Sequence, residues 1–240
     1  MKKFVEVLPD KQSLNERSLA LVLEKLEAAI KERGQCTLVL SGGSTPKTLY
    51  TALAGQYLPW EQIHIFWGDE RYVPPDHQDS NQRMARQAWL NQVLIPAKNI
   101  HAMPTTAGDP AVDAAAYERE IADFFQVPAG VFPVFDLVLL GMGDDGHTAS
   151  LFPHTAALTV GDRLVTVGNK DGEPRLTLTV PLLNRARCTI FLVSGSSKRP
   201  ALAQVFAPAG DSSAYPTRLI QPEGQLWWLL DADAGAELEF

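Results

Sequence analysis

Four short stretches of this chain combine glycines with side chains that move protons or hold anions, and each follows an apolar run. The densest is Gly141-Met142-Gly143-Asp144-Asp145-Gly146-His147-Thr148-Ala149-Ser150-Leu151-Phe152-Pro153, which places a histidine just beyond the run Phe135 to Leu140. Histidine changes charge near neutral pH, so His147 suits general acid or base work, although a histidine in such a turn can also cap a helix or meet solvent. Asp145 can shape the turn, orient the imidazole or act as a catalytic carboxylate. Two further stretches suit phosphate. In Ser41-Gly42-Gly43-Ser44-Thr45-Pro46-Lys47, the paired glycines let backbone approach a ligand, Pro46 fits a helix's first turn, and Ser44 and Thr45 add hydroxyls to the free N–H groups there. Ser194-Gly195-Ser196-Ser197-Lys198 repeats the idea, with a lysine whose place in a helix's first turn is electrostatically poor without an anion nearby. The first of these has neither the spacing of a nucleotide P-loop nor that of a dinucleotide-binding turn, so a small phosphate is the better fit there. The fourth stretch is Trp67-Gly68-Asp69-Glu70-Arg71-Tyr72-Val73. There Asp69 either holds the Arg71 guanidinium or works in proton transfer, the ordinary alternative being a solvated ion pair.

The elements between these stretches place them at one edge. Phe4 to Val7 reads as a strand and Ser13 to Arg33 as an amphipathic helix ending at Gly34. Cys36 to Leu40, Ile63 to Trp67, Phe135 to Leu140 and Ile190 to Val193 are the short continuous apolar runs of parallel strands covered on both faces. Pro46 to Ala54, Asn81 to Val93, Pro110 to Phe125 and Lys198 to Phe206 read as helices between them, and Leu226 to Leu230 as a last strand. The alternation predicts an α/β fold, a doubly wound and mainly parallel sheet flanked by helices, whose ligand loops gather at the carboxyl ends of the strands. Arg163 to Val167 and Arg175 to Val180 alternate apolar and polar residues instead, which predicts a small antiparallel excursion near 160–182. No repeat or linker divides the chain, so residues 1–240 are read as one domain.

Composition narrows the class. The 240 residues are 45% hydrophobic and carry a net charge of −7, which argues against a broad nucleic-acid surface while leaving room for a local anion pocket. Cys36 and Cys188 lie in apolar runs and read as buried free thiols, not a disulfide or zinc site. The N-terminal residues lack the apolar core of a signal peptide, and no stretch reaches the roughly 20 apolar residues of a membrane span. The expectation is a cytoplasmic protein without membrane or nucleic-acid partners. His64 and His101 read as packing or locally bonded residues; His77 and His154 have no clear place, His154 following the His147 stretch closely enough to lie near the cleft or being an incidental loop histidine. No metal-ligand spacing is present and no cofactor is expected. Trp227 and Trp228 belong to the last strand.

Taken together and in this order, Ser41-Gly-Gly-Ser-Thr-Pro, Trp67-Gly-Asp-Glu-Arg, the His147 stretch and Ser194-Gly-Ser-Ser-Lys resemble the motifs of 6-phosphogluconolactonases over most of the chain. These belong with glucosamine-6-phosphate deaminases to one superfamily of doubly wound α/β proteins. The deaminase pattern has a glutamate where this chain has Phe152 and a tyrosine where it has Arg71, so the resemblance favours the lactonases. It implies hydrolysis of 6-phospho-D-glucono-1,5-lactone to 6-phosphogluconate in the oxidative pentose phosphate pathway. On that reading His147 activates water, and Arg71, oriented by Asp69, positions the substrate or stabilises the oxyanion. Gly42, Gly43, Ser44, Thr45, Lys198 and Arg175 hold the phosphate, although Arg175 also fits an exposed hairpin cation. The expected partner is thus a phosphorylated sugar lactone, bound by a monomer or small homo-oligomer. A deaminase or aldose-ketose isomerase, and a sugar-phosphate-binding regulator without turnover, are the competing readings.

Overall fold

Strand segments too apolar to face water on either side become the middle of a sheet, and that rule organises this molecule. The computed structural model describes residues 2–236 and 238. The chain runs β1 (Lys2–Leu8), α1 (Lys11–Arg33), β2 (Cys36–Leu40), α2 (Ser44–Ala54), β3 (Ile63–Trp67), β4 (Asp69–Arg71), α3 (Asn81–Ala85), β5 (Ile100–His101) and α4 (Pro110–Phe125). It continues through β6 (Leu137–Leu140), β7 (Val165–Lys170), β8 (Glu173–Leu178), α5 (Val180–Asn184), β9 (Cys188–Val193), α6 (Arg199–Phe206), β10 (Gln225–Asp231) and α7 (Ala232–Gly235). Seven strands form a parallel sheet in the order β1-β10-β9-β6-β2-β3-β5, and every residue of β2, β6 and β9 is buried.

From β2 the chain winds outward through β3 to β5, and from β6 it winds the other way through β9 to β10. β2 and β6 are adjacent, so the sheet reverses its winding between them and a crevice opens beyond their carboxyl ends. Ser41-Gly42-Gly43 leaves one lip of that crevice and Gly141-Met142-Gly143 the other.

The antiparallel excursion is a second sheet of three strands, in the order β4-β8-β7. Its hairpin turns at Asp171 and Gly172, with φ values of 54° and 94°, the left-handed pair that matches the twist of two short-connected strands. Val180, expected on the strand, instead begins α5, because Pro181 removes a ladder donor and suits a helix's first turn. The Trp67 to Val73 stretch also differs from expectation. It is not all loop, since Asp69–Arg71 extends as β4 and pairs with β8. Gly68 joins the two sheets: its N–H donates to the Leu40 carbonyl of β2, and its own carbonyl accepts from Leu178 of β8, both at 2.8 Å. The helix expected over Asn81 to Val93 is α-helical only to Ala85, and Arg86–Leu90 widens into a π-type turn. Cys36 and Cys188 are free and buried, and burial pushes both thiols far up, Cys188 to about 12.

Candidate active site

Strand alternation decides which charges in Asp69-Glu70-Arg71 face the crevice. Residues 69 and 71 share one face of β4 and residue 70 takes the other. Asp69 and Arg71 accordingly line a cavity of about 280 Å³, together with Gly42, Gly43, Ser44, Thr45, His147, Arg175 and Lys198. Glu70 points the opposite way, into the start of α3, where its carboxylate accepts from the backbone N–H groups of Arg71, Asn81 and Gln82 and from the Ser80 hydroxyl. Burial raises the Glu70 carboxyl above the usual range, and those backbone donors oppose the shift.

The expected Asp69–Arg71 pairing is not the one the fold makes. Asp69 accepts from the Ser150 hydroxyl at 2.7 Å and from the Asn81 amide at 3.4 Å. Arg71 Nη1 donates instead to the Asp79 carbonyl at 2.6 Å. The physical reason is competition: a buried carboxylate takes the fixed donors that the fold brings to it, and the longer arginine reaches past to the loop. Across the ladder Arg71 stands directly opposite Arg175. Like charges in register repel, and the Nε of each is buried without a partner. Desolvation, then the Arg71 charge, lowers the Arg175 guanidinium from its ordinary value. Arg175 is therefore half of a cationic pair facing the cavity, and an anion there would relieve both costs.

The His147 loop is built from within. Gly143 donates to the His147 carbonyl at 2.8 Å, Gly146 to the Gly143 carbonyl at 3.0 Å, and the Thr148 hydroxyl to the Gly141 carbonyl at 2.8 Å. A Cβ on Gly143 would stand 2.1 Å from His147 Nδ1, so only glycine lets the ring lie where it does. That nitrogen meets Asp145 Oδ1 at 2.5 Å, and Asp145 also accepts from the His147 backbone N–H at 3.1 Å. Burial works against the Asp145 charge, but the two bonds from His147 prevail and hold the carboxyl at about 2. An ionised carboxylate only accepts, so the proton of the neutral imidazole sits on Nδ1 and Nε2 keeps its lone pair. Asp145 itself does not line the cavity; it reaches it through the histidine.

The two glycine-serine loops serve unequally. Gly43 sits at φ 107°, a conformation that side chains avoid, and turns the chain into α2, whose N-terminus has no side-chain cap. Its first residues, Ser44 and Thr45, line the cavity with the donor end of the helix. In the other loop Asp231 accepts from the Ser194 hydroxyl at 2.5 Å and from the Gly195 N–H at 3.0 Å, so those donors are already used. Lys198 does find the anion that its position calls for, in Asp144 Oδ1 at 2.6 Å.

The family model described as glucosamine-6-phosphate isomerases/6-phosphogluconolactonase matches residues 9–228. The chain belongs to this family. It is 67% identical to a 6-phosphogluconolactonase of Synechocystis sp. over 234 residues, 98% of each chain, and 65% identical to one of Nostoc sp. over 238 residues, 99% of each. Among solved structures, 6-phosphogluconolactonase from Trypanosoma cruzi superposes with a TM-score of 0.90 at 31% identity, covering 100% of this chain and 98% of the other.

Within this family the position of Phe152 is telling. Where the deaminase pattern has a glutamate, Phe152 is a buried platform, its ring 4.5 Å from the His147 ring and 5.5 Å from the Arg175 guanidinium. It packs the imidazole and a guanidinium against one apolar surface and offers no proton. Several residues to which the sequence assigned no role complete the site. Asn81 lines the cavity from the start of α3, and Ser150 ties the His147 loop to β4. Thr217 supports the loop from below, its N–H and hydroxyl both donating to the Gly146 carbonyl, at 3.0 and 2.8 Å. Ser80, a helix N-cap, was a usable signal for the start of α3; Ser150 lies in the His147 stretch but nothing there marks its tie to Asp69, and nothing local marks Thr217. His64 and His101 lie apart, 3.3 Å from each other, with His101 bonded to Glu120. His154 bonds to Ser213, and His77 to Asp79. Among the described residues, no group of three or more His, Cys, Asp or Glu side chains is placed to hold a metal ion, and no helix is long and apolar enough to cross a membrane.

Proposed function

We propose that this protein hydrolyses 6-phospho-D-glucono-1,5-lactone to 6-phosphogluconate, a step of the pentose phosphate pathway, with His147 as the general base. The observation that carries the reading is a carboxylate-backed imidazole sharing one cavity with Arg71, Arg175 and Lys198. Family membership and the named relatives support the lactone as substrate.

The chemistry follows from charge. His147 takes a proton from water at Nε2 as the water attacks the lactone carbonyl, while Asp145 stabilises the imidazolium that forms. The carbonyl oxygen becomes an oxyanion, and the facing Arg71 and Arg175 guanidiniums supply positive charge that favours it. The imidazolium then returns its proton to the departing ring oxygen, so no covalent enzyme intermediate is needed. The donor end of α2, with Ser44, Thr45 and Lys198, holds the phosphate and fixes the distance from C1 to the base. Asp69 serves as an anchor for Ser150 and Asn81 and so keeps the base loop and the arginine strand in register.

The test is hydrolysis of freshly generated 6-phosphogluconolactone, corrected for spontaneous ring opening, by wild type and His147→Ala in parallel. Wild type is expected to accelerate opening and the variant to lose about 10²- to 10⁴-fold in kcat, the usual worth of a general base. No acceleration by folded wild-type protein would overturn the activity; an unaffected variant would overturn the role of His147.

A further inference from the structure

Lys198 is the cavity's lysine, yet its ammonium is already engaged. Asp144 Oδ1 lies 2.6 Å from Nζ and also accepts from the Ser197 hydroxyl at 3.0 Å. The partners differ in exposure. The Asp144 side chain is 64% exposed and is not part of the cavity wall, whereas Lys198 is 22% exposed and lines it. The other carboxylates of the site are committed elsewhere, Asp145 to His147 and Asp69 to Ser150 and Asn81.

Resting on the proposed lactonase reading, we infer that Asp144 is a built-in competitor for the substrate's phosphate: it occupies the Lys198 ammonium as an internal counter-ion, and a phosphate dianion must displace it to bind. The hydrogen bond from Lys198 holds the Asp144 carboxyl below its usual range, so the competitor is charged throughout the neutral range. Three physical points support the exchange. An ion pair with one member in water is weak, so the carboxylate swings out at small cost. A dianion with three acceptor oxygens is the stronger partner for an ammonium already beside the donor end of α2. Once the phosphate is seated, Asp144 repels it at short range, which weakens retention of a product that has gained a carboxylate. An unphosphorylated lactone has no charge with which to break the pair and is indifferent to Asp144. The residue therefore sets how tightly the site holds phosphorylated ligands without touching the reacting atoms.

The experiment compares wild type with Asp144→Asn, which keeps the size and the Ser197 contact but removes the charge. Expected is a fall of about three- to tenfold in KM for 6-phosphogluconolactone, with kcat within about twofold and the difference shrinking as salt is added. Unphosphorylated gluconolactone should show no change. Ser197→Ala, which frees Asp144 without touching the lysine, should shift KM in the same direction and by less. A KM that rises or stays the same in Asp144→Asn overturns the inference, since the carboxylate would then be holding Lys198 in place for the substrate. Calorimetry with inorganic phosphate reads the same exchange without turnover. Tighter binding by Asp144→Asn, lost again in a Lys198→Met background, supports the inference; equal or weaker binding overturns it. Failure of the lactonase reading shows instead as wild-type protein that binds phosphate and leaves the lactone untouched.

Discussion

At the scale of single residues, the site depends on which atom each polar group is free to use. Asp145 removes one nitrogen of His147 from play and leaves the other with its lone pair, and its own charge survives burial because two bonds from the same histidine hold it near 2. Asn at 145 keeps the shape but can turn its amide N–H toward Nδ1, which selects the tautomer with the proton on Nε2 and would silence the proposed base. Asp145→Asn should therefore lower kcat by about 10²-fold or more while KM moves little, since the proposed phosphate contacts are untouched. Steady-state kinetics on the phosphorylated lactone checks this, and a rise in KM at constant kcat would assign Asp145 to binding instead. Phe152 belongs to the same scale. Its ring carries no chemistry, yet it fixes the planes of His147 and Arg175 at once, which explains how an apolar residue occupies a position that the deaminases give to an acid.

At the scale of elements, the positioning lies in contacts between segments far apart in the chain. Glu70 shows this best: one buried carboxylate gathers the N-terminus of α3 and the backbone of Arg71, so the loop between β4 and α3 is closed at both ends. Glu70→Gln leaves one accepting oxygen for four donors and turns an amide N–H toward backbone N–H groups. The expected cost is about 2 kcal/mol of stability in denaturant unfolding, with a raised KM because Arg71 and Asn81 lose their setting. An unchanged midpoint and KM would mean that the loop is held by other contacts. The same element explains what the sequence made legible and what it hid. The loops Ser41 to Lys47 and Gly141 to Pro153 could be read because glycine, proline and a chemically active side chain act within a few residues of one another. The winding of the sheet was readable from strand runs that are apolar on both faces. The partner of Asp69 was not, because Ser150 is 81 positions away and only the pairing of β4 with β8 brings it close. Glu70 carries no local mark of its role, because only the pleat of β4 turns it inward toward α3. The anion that Lys198 needed could be inferred from the helix start, but its source, Asp144, sits in a motif that had drawn attention to His147 and Asp145.

At the scale of the whole molecule, the response to acid should originate on the far edge of the sheet and not in the site. His64 on β3 is packed against His101 of β5, with Lys98 nearby, and His101 turns its other nitrogen to Glu120. Burial, reinforced by His101 and Lys98, depresses the His64 imidazole to about 4 from an ordinary 6.5. The unfolded chain therefore takes up a proton near pH 6.5 that the folded protein refuses until about pH 4. Stability supplied by neutral His64 is present above the unfolded value and drains away as the pH falls through this window. The site carboxylates Asp144 and Asp145, held low, bring their own acid losses only further down, once the unfolded chain protonates near pH 4. Glu70 has the opposite sign, since a carboxyl held above its usual range gains stability on protonation. The difference between wild type and His64→Gln cancels these shared terms. That difference should shrink or reverse by about 1–2 kcal/mol between pH 7 and pH 4.5, less than the full shift implies because His64 is only half-buried. Denaturant unfolding of both proteins across that range decides it, and parallel curves would place the acid response outside the His64–His101 pair.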